Sequence, residues 1–245
     1  MDEKIIPNRS IGEVPNTLLK KLTEKRIYFG HQSVGFNIID GINDIIKENS
    51  SIKLNIVKTD NIEDFKRPIF AHSQNGINKD PKSKVDAFTN LMEKGLGDKV
   101  DIAFFKFCYV DILNDTNVNE VFNYYKSAMM RLKNRYPKTL FIHVTVPLMR
   151  EAKGPKAFIK SIIGRDHNIV RNQFNDLLRE EYDKNRIFDL ARFESTYPKG
   201  QREARKKGGK YSYSLIPEYT DDGGHLNEKG RKIIAEQFLI FLSEL

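Results

Sequence analysis

The chain has 245 residues, 39% hydrophobic and 30% charged, with a formal net charge of +8. That length accommodates one large α/β domain with a well-buried core, and the composition is that of a folded globular chain, not a disordered one. One cysteine, Cys108, excludes an intramolecular disulfide and any thiolate-cluster metal site, and no uninterrupted apolar run approaches the roughly 18 residues of a membrane span.

The positive charge suits contact with anionic surfaces or polymers, but no helix-turn-helix or zinc-finger pattern accompanies it. The N-terminus, Met1-Asp-Glu-Lys-Ile-Ile-Pro7, lacks the apolar centre of a signal peptide. The expectation is a cytoplasmic location, or an exported or cell-surface one where a signal or anchor has been removed.

Residues 1–24 form a polar lead-in whose Leu18, Leu19 and Leu22 predict one short external helix. Ile27 to Phe29 reads as a buried strand ending at Gly30. Ile38, Ile39, Ile42, Ile45 and Ile46 recur at helical spacing directly after it. Ile52 to Val57 alternates apolar and polar residues, as an edge strand does. A long irregular segment is expected from Asn61 to Lys84, dense in Asn, Gly, Asp and Pro around His72-Ser-Gln-Asn-Gly-Ile-Asn-Lys-Asp-Pro81.

A helix over Lys84–Lys94 should close near Gly95-Leu-Gly97. Asp101 to Cys108 is the most continuous apolar run and predicts a central parallel strand. A helix from Asn119 to Asn134 and a strand from Leu140 to Val146 follow. This alternation implies βαβ units in a mostly parallel sheet covered on both faces. Met149 to Gly164 has no clear period and reads as an insertion or lid. Asp166 is placed to cap a helix carrying Val170, Phe174, Leu177 and Leu178, and Arg186 to Leu190 is a short last strand.

Tyr197 to Tyr213 reads as irregular and basic. Its Lys199, Arg202, Arg205, Lys206, Lys207 and Lys210 form either a solvated loop or a grip on an anionic substrate or polymer. The last element is a helix bearing Ile234, Phe238, Phe241 and Leu245, entered from Asp221-Asp-Gly-Gly-His-Leu-Asn-Glu-Lys-Gly230. No internal repeat is present, and one domain over 1–245 is the simplest parse.

Ser33 stands on the turn between the first strand and its helix. In an open α/β sheet this is the carboxyl end of a strand, where ligands and chemistry collect. The serine is either a helix cap or a nucleophile aided by the positive end of the helix dipole. A nucleophilic serine needs a base and a group to orient that base. Asp222 and His225 are spaced so that the carboxylate can hold Nδ1 while Nε2 faces outward.

A serine after strand one, a βαβ middle and Asp222-Gly-Gly-His225-Leu-Asn-Glu-Lys-Gly230 before the last helix together resemble the SGNH (GDSL-like) hydrolase superfamily. The resemblance runs in order from Ile27 to Leu245. It implies a three-layer α/β/α sandwich with a flavodoxin-like, mostly parallel sheet of about five strands. It also implies a triad of Ser33 as nucleophile, His225 as general base and acid, and Asp222 as orienting carboxylate, with no cofactor. The first block departs from the family's Gly-Asp-Ser, reading Gly30-His31-Gln32-Ser33.

Gly76 in Gln74-Asn-Gly-Ile-Asn78 corresponds to the oxyanion glycine of the second block. The third block is normally Gly-x-Asn-Asp, but its place is taken by Cys108-Tyr109-Val110-Asp111, without the asparagine. Losing one oxyanion donor typically costs about 10²–10³ in rate. Asn78, Asn75 or Gln32 is the expected replacement, with His31, His72 and Tyr109 as further substrate-side residues. His143 reads as a core histidine, His167 as a surface or cap residue and Cys108 as a buried structural thiol. No histidine or carboxylate spacing points to a metal.

These readings lead to a serine esterase acting on an acyl ester, acetyl among the candidates, of a carbohydrate or similar hydroxylated small molecule. Two alternatives stay open: acyl transfer to a glycan by the same triad, and a non-catalytic module binding an anionic polymer through the basic segment.

Overall fold

The computed structural model describes residues 8–49, 51–151, 167–207 and 210–245. The proposed cap at Asp166, most of the 149–164 segment and the first seven residues of the lead-in lie outside this set.

The first strand, β1 (Arg26–His31), sits in the middle of a five-stranded sheet. On one side lie β3 (Ile69–Gln74) and then β2 (Ile56–Lys58); on the other lie β4 (Ile102–Phe105) and β5 (Leu140–Phe141). Every pairing in this sheet is parallel. Two further short strands, β6 (His143–Val144) and β7 (Ile187–Phe188), pair in parallel as a separate ladder.

Strand alternation divides the core in two. Ile27, Phe29, Ile102 and Phe104 point to one face, where α1 (Asn16–Thr23), α2 (Ser33–Glu48) and the last helix, α7 (Glu228–Ser243), are packed. Tyr28, Ala103 and Phe105 point to the other, under α3 (Pro81–Glu93), α4 (Val118–Arg135) and α5 (His167–Glu181). A short α6 (Leu190–Ser195) follows β7. The result is the expected three-layer α/β/α sandwich. Phe238 of α7 anchors the first face, with its ring centroid 5.6 Å from Phe104, 5.8 Å from Phe29 and 4.7 Å from Phe188. Burying one such side chain contributes about 1.5–3 kcal/mol.

The sheet's register is fixed at the amino end of β1 and β4. Arg26 donates from its guanidinium and its backbone N–H to the Asp101 carboxylate, at 2.7 Å in the shortest contacts. Helices α2 and α7 lie against each other. The Arg231 guanidinium reaches Asp44, and a Cβ added at Gly41 would come within 2.3 Å of the Arg231 carbonyl oxygen. Gly41 is therefore what lets the two helices approach this closely.

Four expectations need correction. The segment from Asn61 to Lys84 is not one irregular stretch: it holds β3, which pairs directly with the central strand. Its carboxyl half, His72-Ser73-Gln74, is polar, and this hides the strand from a hydrophobic pattern. The expected strand at Ile52–Val57 is shorter and later, because β3 offers partners only from Ile56 onward. The basic stretch from Tyr197 to Tyr213 is not irregular: it contains an antiparallel hairpin of β8 (Ala204–Lys207) and β9 (Lys210–Tyr213). The predicted strand over Leu140–Val146 is split into β5 and β6, which pair with different neighbours. No helix among the described residues is long and apolar enough to cross a membrane.

Candidate active site

The carboxyl edge of the sheet brings together the end of β1, the loop after β3, the segment after β4 and the turn before α7. Ser33 is the first residue of α2 and is partly buried. The capping position belongs to Gln32, which makes no side-chain cap; its Nε2 instead donates to the Gly76 carbonyl at 2.8 Å. The cap reading of Ser33 therefore has no support in the local geometry. The Ser33 Oγ lies 4.0 Å from Cys108 Sγ.

Across the edge, the turn at 220–225 is shaped around Asp222. Its Oδ1 accepts the backbone N–H groups of Gly224 and His225, each at 2.8 Å, and its Oδ2 lies 2.5 Å from His225 Nδ1. Burial works against the charge of Asp222. The hydrogen bonds from the imidazole and the two backbone N–H groups nevertheless hold its carboxyl well below the usual carboxylate range. The carboxylate is thus acceptor only, which places a proton on Nδ1; in the neutral imidazole the lone pair is then on Nε2. Gly223 makes the turn possible with φ of +94°, the left-handed region that glycine enters freely.

This turn is tied to the serine helix. The Leu226 N–H donates to Asn37 Oδ1 at 3.1 Å, and Asn37 lies one helical turn beyond Ser33 on α2. Asn227 then caps α7 by accepting from the Gly230 N–H. Leu226 and Asn37 are 189 residues apart in sequence, and their hydrogen bond lies next to both the turn and Ser33.

Among the described residues, the group within hydrogen-bonding distance of His225 Nε2 is the Tyr109 hydroxyl, at 3.3 Å. Tyr109 is held from behind, because Arg171 Nε donates to its carbonyl at 2.8 Å and Gly224 leaves room for its ring. Burial raises the phenol above its ordinary value, and the nearby Asp222 charge adds to this, so Tyr109 is a protonated donor toward Nε2.

The loop after β3 carries the remaining candidates. Gly76, with φ of +62°, has its α-carbon pressed against Lys84, and an added Cβ would lie 2.6 Å from the lysine Cα. Asn75 is buried and spends its Nδ2 on the Lys84 carbonyl at 2.9 Å. Asn78 is exposed, and its Oδ1 accepts from Lys84 Nζ at 2.8 Å. Lys79 is held at φ of +69° by a bond from its N–H to Asp111 Oδ1.

His31 and His72 form a stacked pair below the surface, with His31 Nε2 and His72 Nδ1 3.0 Å apart. Burial pushes His31 down to about 2, with the charge of Lys106 acting in the same direction, and burial also lowers His72. Both rings are neutral at physiological pH and buried. Their geometry supports the strand ends more directly than it offers contact to a substrate.

Pattern reading missed a set of buried charges beneath the site. Lys84 and Asp111 are fully buried and ion-paired at 2.8 Å. Lys106 is also fully buried, donating to the Phe107 carbonyl, and burial lowers its ammonium with the charge of Lys84 adding to the effect. Lys84 falls early in a helix that reads as polar, so nothing in its spacing separates it from a surface lysine.

The other expected residues fall where their chemistry suggests. Cys108 is a buried thiol. His143 is a core histidine, bonded to the Tyr125 hydroxyl at 2.6 Å and stacked on Tyr182. His167 opens α5. Of the basic segment, Arg202 stacks on Tyr213 at 3.4 Å and Arg205 pairs with Glu151, so two of the cations are engaged within the fold.

No protein-family model matches the sequence, and no curated protein matches it either. Solved structures do. A Streptococcus pneumonia protein provisionally described as a platelet activating factor aligns over 92% of this chain and 91% of its own, with a TM-score of 0.52 and 18% identity. An acetyl xylan esterase, AlAXEase, aligns over 86% of this chain and 96% of its own, with a TM-score of 0.48 and 14% identity. A protein from Desulfitobacterium hafniense DCB-2, provisionally described as lipolytic and of the G-D-S-L family, aligns over 89% and 99%, with a TM-score of 0.48 and 8% identity. The first likeness spans nearly the whole of both chains and shows a shared fold.

Proposed function

We propose that this protein is a divergent serine esterase of SGNH type, acting on an acyl ester of a carbohydrate or similar hydroxylated molecule. The observation that carries the reading is the Asp222–His225 pair, with its imidazole lone pair outward, on a turn bonded to the helix that Ser33 begins. A carboxylate, an imidazole oriented by it and a serine at a helix N-terminus are the parts acyl transfer requires. The whole-chain likeness of fold supports the same assignment at the level of architecture.

In this reading Ser33 Oγ attacks the ester carbonyl carbon as its proton passes to His225 Nε2. The carbonyl π pair moves onto oxygen, and the oxyanion is met by the N–H groups of Ser33 and Gly76. The intermediate collapses, the C–O bond to the alcohol breaks, and His225 returns its proton to the departing oxygen. Water then attacks the acyl-Ser33 carbonyl, again giving its proton to His225, and the carboxylic acid leaves as Ser33 is restored. Asp222 stays ionised throughout and stabilises the imidazolium. An acetyl group is the acyl unit we favour, on the chemistry of the resemblance.

The test is labelling with a fluorophosphonate, read by peptide mass spectrometry, on the native chain and on Ser33→Ala and His225→Ala. The expected result is stoichiometric modification at Ser33 that is lost in both variants. An unlabelled, folded native chain would refute the esterase reading.

A further inference from the structure

The third oxyanion donor has no asparagine at its usual place after β4. We propose that Asn78 supplies it, and that buried Lys84 is the positioning residue that aims Asn78. This inference rests on the esterase reading and deepens it.

Three amides, those of Gln32, Asn75 and Asn78, are candidates for the donor. Gln32 directs its nitrogen to the Gly76 carbonyl, and Asn75 directs its nitrogen to the Lys84 carbonyl. Asn78 is the opposite case: its oxygen is engaged and, among the described residues, its Nδ2 has no partner. Its orientation is also chemically fixed. An ammonium has three donors and no acceptor, so the atom facing Lys84 Nζ at 2.8 Å must be Oδ1. The two N–H groups are thereby turned away from the lysine and left to donate elsewhere. A charge-assisted bond to the oxygen also polarises the amide and strengthens its N–H groups as donors.

Lys84 has little other reason to be where it is. It is 0% exposed, and an ammonium in that setting is costly unless paired. Its three hydrogens go to Asp111 Oδ2 at 2.8 Å, Asn78 Oδ1 at 2.8 Å and Cys108 Sγ at 3.2 Å. The last of these partners is the neighbour of Ser33 Oγ, at 4.0 Å. The lysine therefore bridges the vacated third block to the loop of the second. Asp111 completes the clamp: its other oxygen holds the Lys79 N–H, pinning the one described non-glycine residue with positive φ. Left-handed backbone at a non-glycine residue is held only where the surroundings enforce it. The loop that presents Asn78 is thus fixed on both sides.

The test uses p-nitrophenyl acetate hydrolysis and the rate of fluorophosphonate labelling at Ser33, on the full chain. Asn78→Asp keeps an acceptor for Lys84 but has no N–H, so the expected result is a loss of about 10²-fold in kcat with KM little changed. Because Asn78 is exposed, this variant does not depend on surviving a core substitution. Lys84→Met should lose a similar factor, and the Lys84→Met/Asn78→Ala pair no more than the worse single, because one acts through the other.

Lys84→Met/Asp111→Asn, which removes both members of the buried ion pair together, guards against simple unfolding and should show the same loss with melting close to the native chain. Additive losses would mark Lys84 as merely structural, and a native rate in Asn78→Asp would overturn the assignment while leaving the esterase intact. Absence of Ser33-dependent turnover in the native chain would overturn the esterase reading and this inference together.

Discussion

His225 faces two partners at once: its Nδ1 lies 2.5 Å from Asp222 Oδ2, and its Nε2 lies 3.3 Å from the Tyr109 hydroxyl. The first contact sets the tautomer; the second occupies the lone pair that a serine would need. Asp222→Ala removes the orienting carboxylate and also the acceptor for two backbone N–H groups. His225→Ala removes the proposed base itself. Each is expected to slow fluorophosphonate labelling of Ser33 by about 10²–10⁴-fold, and the double variant should be no slower than His225→Ala. Labelling kinetics followed by mass spectrometry check this.

In the proposed mechanism, Tyr109 must yield Nε2 before His225 can accept a proton from Ser33. A hydrogen bond of this kind is worth about 0.5–1.5 kcal/mol, so Tyr109→Phe should quicken Ser33 labelling by roughly 2- to 10-fold. Stopped-flow labelling of the variant against the native chain reads it. A slower variant would show that the phenol assists the reaction instead of competing for the base.

Stability should carry a pH signature from Glu194. This carboxyl is fully buried; its Oε2 accepts from the Leu148 N–H at 2.8 Å, and among the described residues its Oε1 has no partner. Burial pushes it up to about 8, against the opposing Leu148 bond and the positive charges of Lys106 and Arg171. The folded state therefore holds a proton that the unfolded state has released. Its contribution is complete below the unfolded value of about 4.5 and is lost as pH rises toward 8. Glu194→Gln keeps the Leu148 bond without a titrating group. It should flatten the fall in stability over that window, measured by urea unfolding at a series of pH values.

Gly41 tests the packing that registers the serine helix against the histidine helix. A methyl group there meets the Arg231 carbonyl at 2.3 Å and the Ala235 Cβ at 2.8 Å, neither of which is the free end of a flexible side chain. Gly41→Ala would help an isolated helix. In this protein it should cost about 1–3 kcal/mol through overpacking, seen as a lower denaturation midpoint with an unchanged m-value. A stabilised variant would mean that α2 and α7 can separate without loss.

Much of this molecule was legible without coordinates. The isoleucine stripe of α2 and the continuous apolar run at β4 announced a parallel α/β sheet, because periodicity reports which face of an element is buried. Asp222 and His225 are three residues apart, so their pairing is a local matter of turn geometry, and sequence alone determined it. Strand β3 escaped notice because the residues ending it are polar, and its place beside β1 depends on hydrogen bonds to a strand some forty positions away.

What only the tertiary structure decided is how distant groups meet. No pattern distinguishes Lys84 from the other lysines, yet folding buries it against Asp111 and aims it at Asn78. Nor does any spacing reveal that Tyr109 stands before His225, or that Leu226 is bonded to Asn37. Local chemistry is written in neighbouring residues, whereas burial and long-range contact come into being when the layers of the sandwich close.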